Sequence, residues 1–420
     1  MNAHRKCSAL CLSILGILAL PARGLGSPSV VVLRDGVDPV TKAASVSLVP
    51  SHLFTSALSG FSADIDTATE VRLLADPDVV EVRPDTTRRY MAARSVSGTI
   101  SAFATAAESS PQTVSPAIRR VSADRSPTAR IDGVDERVDV DVAILDTGIQ
   151  TNHPDLNVAG GVDCVSGFTF NDLVGHGTMV AGIVGALDNG FGTVGVAPGA
   201  RLWSVRVLSS RGTGTESSIL CGIDWVAAHA DTIEVANMSL GQAGANDDAC
   251  GSLDGDMMHA AICAATNAGV TFTAAAGNQG GSASKLVPAA YPEVLAVAAI
   301  ADTDGLPGGL GGPDNCFGYP DDSLAAFSNF GPSVFLSAPG VCIQSTAIRS
   351  GLGVNSGTSF SAPFVAGAAA LYSASPSGHA TLVSLPAAKR PQAVGGALRS
   401  AAVRSSLAAG VGTVLDASEL

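Results

Sequence analysis

Apolar residues in this chain of 420 residues fall into two kinds of run that alternate. Short runs of Val, Ile, Leu and Ala at 138–145, 202–208, 233–238, 270–276 and 294–300 predict strands buried on both faces. Longer runs at 176–187, 215–229, 254–268 and 360–373 predict helices. This alternation implies an α/β fold: a mostly parallel sheet with helices on both faces, spanning residues 116–420.

A smaller pattern precedes it. SVVVLRDG (29–36) predicts a strand and turn, SGFSADID (59–66) a second strand, ATEVRLLADP (68–77) a short helix and VVEVRPD (79–85) a last strand. These make a small α+β unit over 28–90. Residues 91–115 are dominated by Ala, Ser and Thr and cannot bury enough surface to offset chain entropy, so a flexible linker is expected there.

Three polar islands stand where the predicted elements begin or end. Asp146-Thr-Gly148 closes a strand, His176-Gly-Thr178 opens a helix, and Gly357-Thr-Ser-Phe-Ser-Ala-Pro363 places Ser359 where a loop becomes a helix. In sheets of this class functional residues gather at the carboxyl ends of strands, so islands far apart in sequence can converge. A serine hydroxyl needs a base to take its proton, and the base needs a carboxylate to hold its tautomer. Ser359, His176 and Asp146 supply these three groups beside small residues that let a substrate backbone approach.

VAILDTGI (142–149), HPDL (153–156), GHGTMVAGIVGAL (175–187), GVAPGA (195–200), NMSLG (237–241), AAAGN (274–278) and GTSFSAP (357–363) occur in this order, and together they resemble the subtilisin-type serine peptidases, or subtilases. Similarity is greatest to secreted bacterial subtilisins and proteinase K relatives. The resemblance implies a peptidase acting on protein or peptide substrates through an acyl-enzyme. Asp146 would orient His176, the general base and then acid, and Asn278 would join the Ser359 N–H in holding the oxyanion. Ser239, Leu240 and Gly241 with Ala275, Ala276 and Gly277 would form the walls of the substrate cleft, giving a broad preference for apolar or aromatic side chains before the cut. Met179 stands where many relatives carry a second histidine.

The resemblance also makes 28–90 an inhibitory propeptide, the chain's own folding chaperone and inhibitor, with maturation near Tyr90 or Met91, and makes the tail, ALRSAAVRSSL (397–407) and GVGTVLDASEL (410–420), the closing helix and strand of the family. LDNGFGTVGVAP (187–198) resembles a structural Ca2+ loop. Asp155 and Asn189 would give side-chain oxygens, and Leu187, Phe191 and Thr193 backbone oxygens, to that hard cation. Asp247 and Asp248 correspond to acidic residues that select basic substrates in kexin-type relatives. The Trp-Gly-Pro context of those relatives is absent, which favours a solvated loop. Two other readings compete with a serine peptidase: an aspartic peptidase pairing Asp146-Thr-Gly148 with Asp302-Thr-Asp-Gly305, and a noncatalytic binding relative.

Composition adds context. Arg5 and Lys6, the apolar run Cys7–Leu20 and the small residues Ala22, Gly24 and Gly26 read as a signal peptide over 1–26. That run is too short for a membrane anchor, so a secreted, extracellular product is expected. Six cysteines follow the signal, and their separations suggest Cys250 with Cys263, Cys316 with Cys342 and Cys164 with Cys221, with buried thiols as the alternative. Residues 1–90 are charge-balanced, so the net charge of −13 lies in 91–420 and argues against nucleic acid or anionic membrane as a partner. Asn237-Met-Ser239 is formally a glycosylation sequon, but its strand position argues against modification.

Overall fold

The computed structural model describes residues 26–86, 91–92, 111–253, 255–404 and 413–420. The signal segment before Gly26, the expected cut at Tyr90 and linker residues 93–110 lie outside the described residues.

The amino-terminal unit contains β1 (Ser27–Leu33), α1 (Pro39–Ser45), β2 (His52–Phe54), β3 (Gly60–Ile65), α2 (Thr67–Leu74) and β4 (Val79–Pro84). Its antiparallel sheet has the order β2-β3-β1-β4 over a core of Val31, Leu33, Ala43, Phe61, Ala63, Ile65 and Leu73. The helix α1 and the strand β2 have no counterpart in the sequence pattern because each is short. α1 is started by Asp38, whose carboxylate accepts the amides of Val40 and Thr41, with Pro39 in its first turn.

After β5 (Met91–Ala92) and α3 (Pro116–Arg120), the large unit begins. It contains β6 (Asp141–Asp146), β7 (Val158–Asp163), α4 (His176–Gly185), β8 (Arg201–Arg206), α5 (Glu216–Ala228), β9 (Val235–Met238), β10 (Leu240–Ala243) and α6 (Met257–Asn267). It continues with β11 (Thr271–Ala275), β12 (Leu286–Val287), β13 (Val294–Ile300), β14 (Val334–Pro339), β15 (Ile343–Ala347), β16 (Gly351–Asn355) and α7 (Thr358–Ala374). The last elements are α8 (Pro376–Ser384), α9 (Arg390–Ala401), β17 (Val403–Arg404) and β18 (Thr413–Val414). The main sheet has the order β17-β18-β14-β13-β11-β9-β6-β8-β7 and is parallel except where β17 meets β18. One face is covered by α4 and α7, the other by α5 and α6, each over its own apolar cluster. This is the expected α/β architecture.

Several expected boundaries move for local reasons. The helix expected at 254–268 starts at Met257 because Asp256 caps it, accepting the amides of Met258 and His259. The closing helix expected at 397–407 spans 390–401, after which β17 turns back against β18, with 405–412 outside the described residues. The expected linker 91–115 is paired at both described ends. β5 pairs with β10, while Gln112 N donates to Gly190 O (3.0 Å) and Thr113 N to Gly192 O (3.1 Å). Backbone pairing needs no large side chains, so composition could not reveal it. All three suggested disulfides form, with Cα separations of 5.8, 5.9 and 5.9 Å.

The amino-terminal unit docks on α5. Asp85 caps the helix start, accepting from Ser217 N (3.0 Å) and Ser217 Oγ (2.6 Å), and Arg83 pairs with Glu216 at 2.9 Å. Asp224, buried on the same helix, accepts the amides of Thr55 (3.0 Å), Ser56 (2.7 Å) and Ala57 (2.6 Å). Val30 and Phe54 enter the apolar cluster around α5 and α6.

Close helix packing generates a stability prediction. A Cβ on Gly367 in α7 would lie 2.5 Å from Val196 Cβ, whereas one on Gly396 in α9 would meet nothing within 4 Å. Gly367→Ala should therefore destabilise by about 1–3 kcal/mol, and Gly396→Ala should stabilise by about 0.4–1 kcal/mol. Denaturant titration of the two variants in a Ser359→Ala background checks the opposite signs.

Candidate active site

Asp146 ends β6 at the carboxyl edge of the sheet and is fully buried. A buried carboxylate is costly unless its oxygens are bonded. His176 Nδ1 lies 2.8 and 2.9 Å from the two oxygens, and Thr147 N donates to Oδ1 at 2.6 Å.

His176 is the first residue of α4. The helix can start this close to β6 because Gly177 has no side chain; a Cβ there would lie 2.1 Å from Gly148 O. Asp172 completes the cradle, a role absent from the sequence reading. Its buried carboxylate accepts from Thr147 Oγ1 (3.0 Å), Val174 N (2.8 Å), Gly175 N (2.9 Å), Thr178 N (2.9 Å) and Thr178 Oγ1 (2.7 Å). Burial of the His176 ring disfavours its charged form, but the charge and hydrogen bond of Asp146, with Asp172 behind, outweigh this and hold its pKa above the usual 6.5.

Ser359 lies in the first turn of α7 with no exposure. Its hydroxyl donates to Ser239 O at 3.1 Å, and Ser239 Oγ donates back to Ser359 O at 2.7 Å. His176 Nε2, the nitrogen turned away from Asp146, is buried and has no hydrogen-bond partner among the described residues, and the imidazole stands 5.3 Å from the ring of Phe360, the residue after Ser359. Asp146, His176 and Ser359 are thus gathered at one place, with the hydroxyl turned toward the Ser239 carbonyl.

Asn278 follows β11. Thr358 N and Oγ1 both donate to its Oδ1 at 2.9 Å, and Gly277 N donates to Thr358 Oγ1 at 3.0 Å. With the carbonyl end held, the amide nitrogen lies against the loop before Ser359; a Cβ on Gly357 would be 3.0 Å from it. Gly357 has φ +147°, a conformation open to glycine.

The expected walls, Ser239–Gly241 and Ala275–Gly277, occupy the ends of β9, β10 and β11. An extended segment of the chain lies along the first wall: β5 pairs antiparallel with β10, Ala92 opposite Leu240 and Met91 opposite Gly241. On its other side β10 pairs with β12.

The expected metal residues also cluster. Asp155 is fully buried; Thr193 N donates to its Oδ2 at 3.1 Å and Asn189 Nδ2 to its Oδ1 at 3.2 Å, while Leu187 N bonds its backbone carbonyl at 3.1 Å. Phe191 N donates to Asn189 Oδ1 at 3.1 Å, closing the loop. Burial pushes the Asp155 carboxyl up to about 7 despite the bonds from Thr193 and Asn189. A buried carboxylate whose bonds come from neutral donors, Thr193 N and Asn189 Nδ2, suits a hard cation. The amino-terminal arm adds Gln112, unassigned from sequence: its Oε1 accepts from Asn189 N (2.9 Å) and Gly190 N (2.8 Å), and its Nε2 donates to Asp188. A separate acidic group, Asp302, Asp304 and Asp321, brings ligand atoms within 4.8 Å of one another.

One reading is corrected. Asp247 is not solvated: its side chain accepts the amides of Ala249 (2.9 Å), Gly251 (3.0 Å) and Leu253 (3.0 Å) and pairs with His259 at 3.1 Å, leaving only Asp248 exposed. An aspartic dyad is not built, since Asp146 faces His176 while Asp302 lies 3.4 Å from Arg120. The sequon Asn237 is fully buried, its Oδ1 accepting from Thr273 and its Nδ2 donating to Ser239. No helix among the described residues is long and apolar enough to cross a membrane.

Residues 138–408 match the Subtilase family, well over half of the chain. Subtilisin NAT of Bacillus subtilis subsp. natto is 39% identical over 237 residues, covering 55% of this chain and 55% of that protein, so the match spans about half the length of this relative. Subtilisin of Bacillus pumilus is 39% identical over 237 residues, covering 55% of this chain and 76% of that protein. A crystal structure of a cold adapted subtilisin-like serine proteinase superposes with a TM-score of 0.55 at 30% identity, covering 72% of this chain and 97% of that one. Fold, motif order and these likenesses agree: the chain belongs to the subtilase family.

Proposed function

We propose that this chain is a secreted, self-processed serine endopeptidase. The observation that carries the reading is the Asp146–His176 pair at 2.8 Å, gathered with Ser359 beside a wall already lined by an extended segment of the same chain.

His176 Nδ1 carries the proton donated to Asp146, which leaves Nε2 as the base. The Ser359 hydroxyl turns from the Ser239 carbonyl to Nε2, gives up its proton and attacks the scissile carbonyl carbon. The developing oxyanion is held by the Asn278 amide and the Ser359 N–H; losing one such donor costs roughly 100- to 1000-fold in turnover. His176 then protonates the leaving amine, and water hydrolyses the acyl ester through the same base. Residues 28–90 act as inhibitory propeptide, a role supported by the docking on α5 and by β5 along the cleft wall. The first 26 residues direct export, and three disulfides suit an oxidising compartment. Asp155, Asn189, Leu187, Phe191 and Thr193 would hold Ca2+, which would neutralise a buried charge and tie the loop to its neighbours.

A fluorophosphonate probe should label Ser359, and Ser359→Ala should both abolish labelling and leave 28–90 attached to the precursor. Maturation of purified Ser359→Ala without another protease would sink self-processing.

Only neutral His176 can take the proton, and its pKa is held above 6.5, so kcat/KM should fall toward acid with a midpoint above that value. Asp146→Asn removes the charge that raises the pKa and should lower kcat by about 10⁴-fold while moving the limb to lower pH. Stopped assays across pH decide it; an unmoved limb would remove Asp146 from the base's environment.

A cation bound only by the folded state should stabilise it by roughly 2.7 kcal/mol at 100 times its dissociation constant. Melting curves of metal-stripped protein with calcium and with chelator should therefore separate, and Asp155→Ala should make them coincide. Overlapping curves for the parent protein would reduce the loop to a turn.

A further inference from the structure

The string Asp302-Thr-Asp-Gly305 lies just past the end of β13, and no catalytic role uses it. Its two carboxylates meet Asp321 from the far end of the same loop, and the three supply ligand oxygens that all lie within 4.8 Å of one another. Two oxygens on one Ca2+ stand at most about 5 Å apart, since each bond is about 2.3–2.6 Å long. The spacing therefore fits a single ion. A cluster of acidic groups is often a solvated face, but Asp302 is not solvated: its side chain has no exposure, and its Oδ2 is buried without a hydrogen-bond donor among the described residues. Arg120 Nε stands 3.4 Å from that oxygen and gives its one hydrogen to Asp322 Oδ1, at 2.6 Å, instead. We propose that Asp302, Asp304 and Asp321 form a second calcium site, separate from the Asp155 loop.

The loop is shaped to hold such an ion. Asp302 Oδ1 accepts Gly305 N (3.1 Å), Asp304 Oδ1 accepts Leu306 N (2.8 Å), and Asp321 Oδ1 accepts Thr303 N (2.8 Å) and Thr303 Oγ1 (3.0 Å). Gly311 N donates to Asp321 Oδ2 at 2.9 Å, and a Cβ on Gly311 would lie 2.2 Å from Thr303 Oγ1, so glycine lets the chain close over these groups. Burial pushes the Asp302 carboxyl up to about 8; Arg120 pulls against this, and Asp321 and Asp322 add to it. One guanidinium thus leaves the cluster short of positive charge. Leu306 and Leu310 are exposed, so the loop reaches the surface, where an ion can enter and waters can complete the about six to eight oxygens that calcium takes. The loop also supports α3: Arg120 belongs to that helix, and a Cβ on Gly305 would lie 3.0 Å from Pro116 O and from Arg119 Cβ. Gln112, just before α3, is bonded to the Asp155 loop through Asn189 N and Gly190 N. A cation at each loop would therefore hold the two ends of one arm, whatever the chemistry at Ser359.

Equilibrium dialysis against radioactive calcium, on metal-stripped full chain carrying Ser359→Ala, tests the site. Asp155→Ala in that background removes the carboxylate of the first loop, and one Ca2+ per chain should still bind. Adding Asp304→Asn, which keeps an acceptor for Leu306 N but removes a ligand charge, should weaken this remaining binding by roughly 10-fold or more, and Asp321→Asn should do the same. Calcium should also raise the melting temperature of the Asp155→Ala protein, a rise that Asp304→Asn should abolish. An Asp155→Ala protein that binds no calcium, or binding that both asparagine variants leave unchanged, would overturn the site while leaving the Asp155 loop untouched. Where Asp155→Ala fails to fold, the titration of the parent chain decides: it should lose one binding step on Asp304→Asn, and an unchanged titration would overturn the site.

Discussion

A carboxylate with no solvent exposure, Asp146 at the end of the central strand β6, is the constraint on which the site depends. Leaving such a group unpaired would cost several kcal/mol, so the fold has to bring donors to it. The start of α4 is drawn against β6, which demands glycine at 177, and Asp172 ties the loop and first turn that present His176 to Thr147 beside Asp146. α7 then runs beneath, buried along almost its whole length, with Phe360, Phe364, Val365 and Leu371 in the core and alanines and Gly367 giving close approach to its neighbours. Strand ends and helix starts have little freedom to move, and that is what holds the candidate groups together.

The acidic excess has a second use beyond solubility. Many carboxylates act as internal acceptors for backbone amides where the chain has no regular structure. Asp163, Asp247 and Asp314 each collect amides from their own loops, and Asp188 holds Asp132 and Gly133 of the amino-terminal arm. Asp247 illustrates the outcome: its bonds to Gly251, Leu253 and Ala249 outweigh the cost of burial and hold its pKa down to about 2. Asp155 is the opposite case: its two donors, Thr193 N and Asn189 Nδ2, do not offset burial, and its carboxyl is pushed up to about 7.

The same device joins the two units. Asp224 of α5 receives three consecutive amides of the amino-terminal unit, and Asp85 of that unit caps α5 in return. Each carboxylate satisfies groups that neither unit can satisfy alone, while Phe54 and Val30 bury apolar surface between them. An interface of this type is directional and polar at its rim, and it leaves the cleft wall to the strand that follows.

The sequence by itself determined the parallel α/β class and the three islands at strand ends and helix starts, and it suggested the three disulfide pairs that the structure then formed. These are legible because periodicity, small-residue turns and cysteine separation are local properties. Asp172 was not legible, since an Asn-Asp pair in a loop looks like any turn until five donors close on it. Pairing at both ends of 91–115 was hidden because backbone hydrogen bonds leave no trace in composition. Gly241 and Gly277 could be read as walls, but what stands between them could not. Leu286 comes against both glycines only through its register against β10, a contact decided by packing between segments distant along the chain.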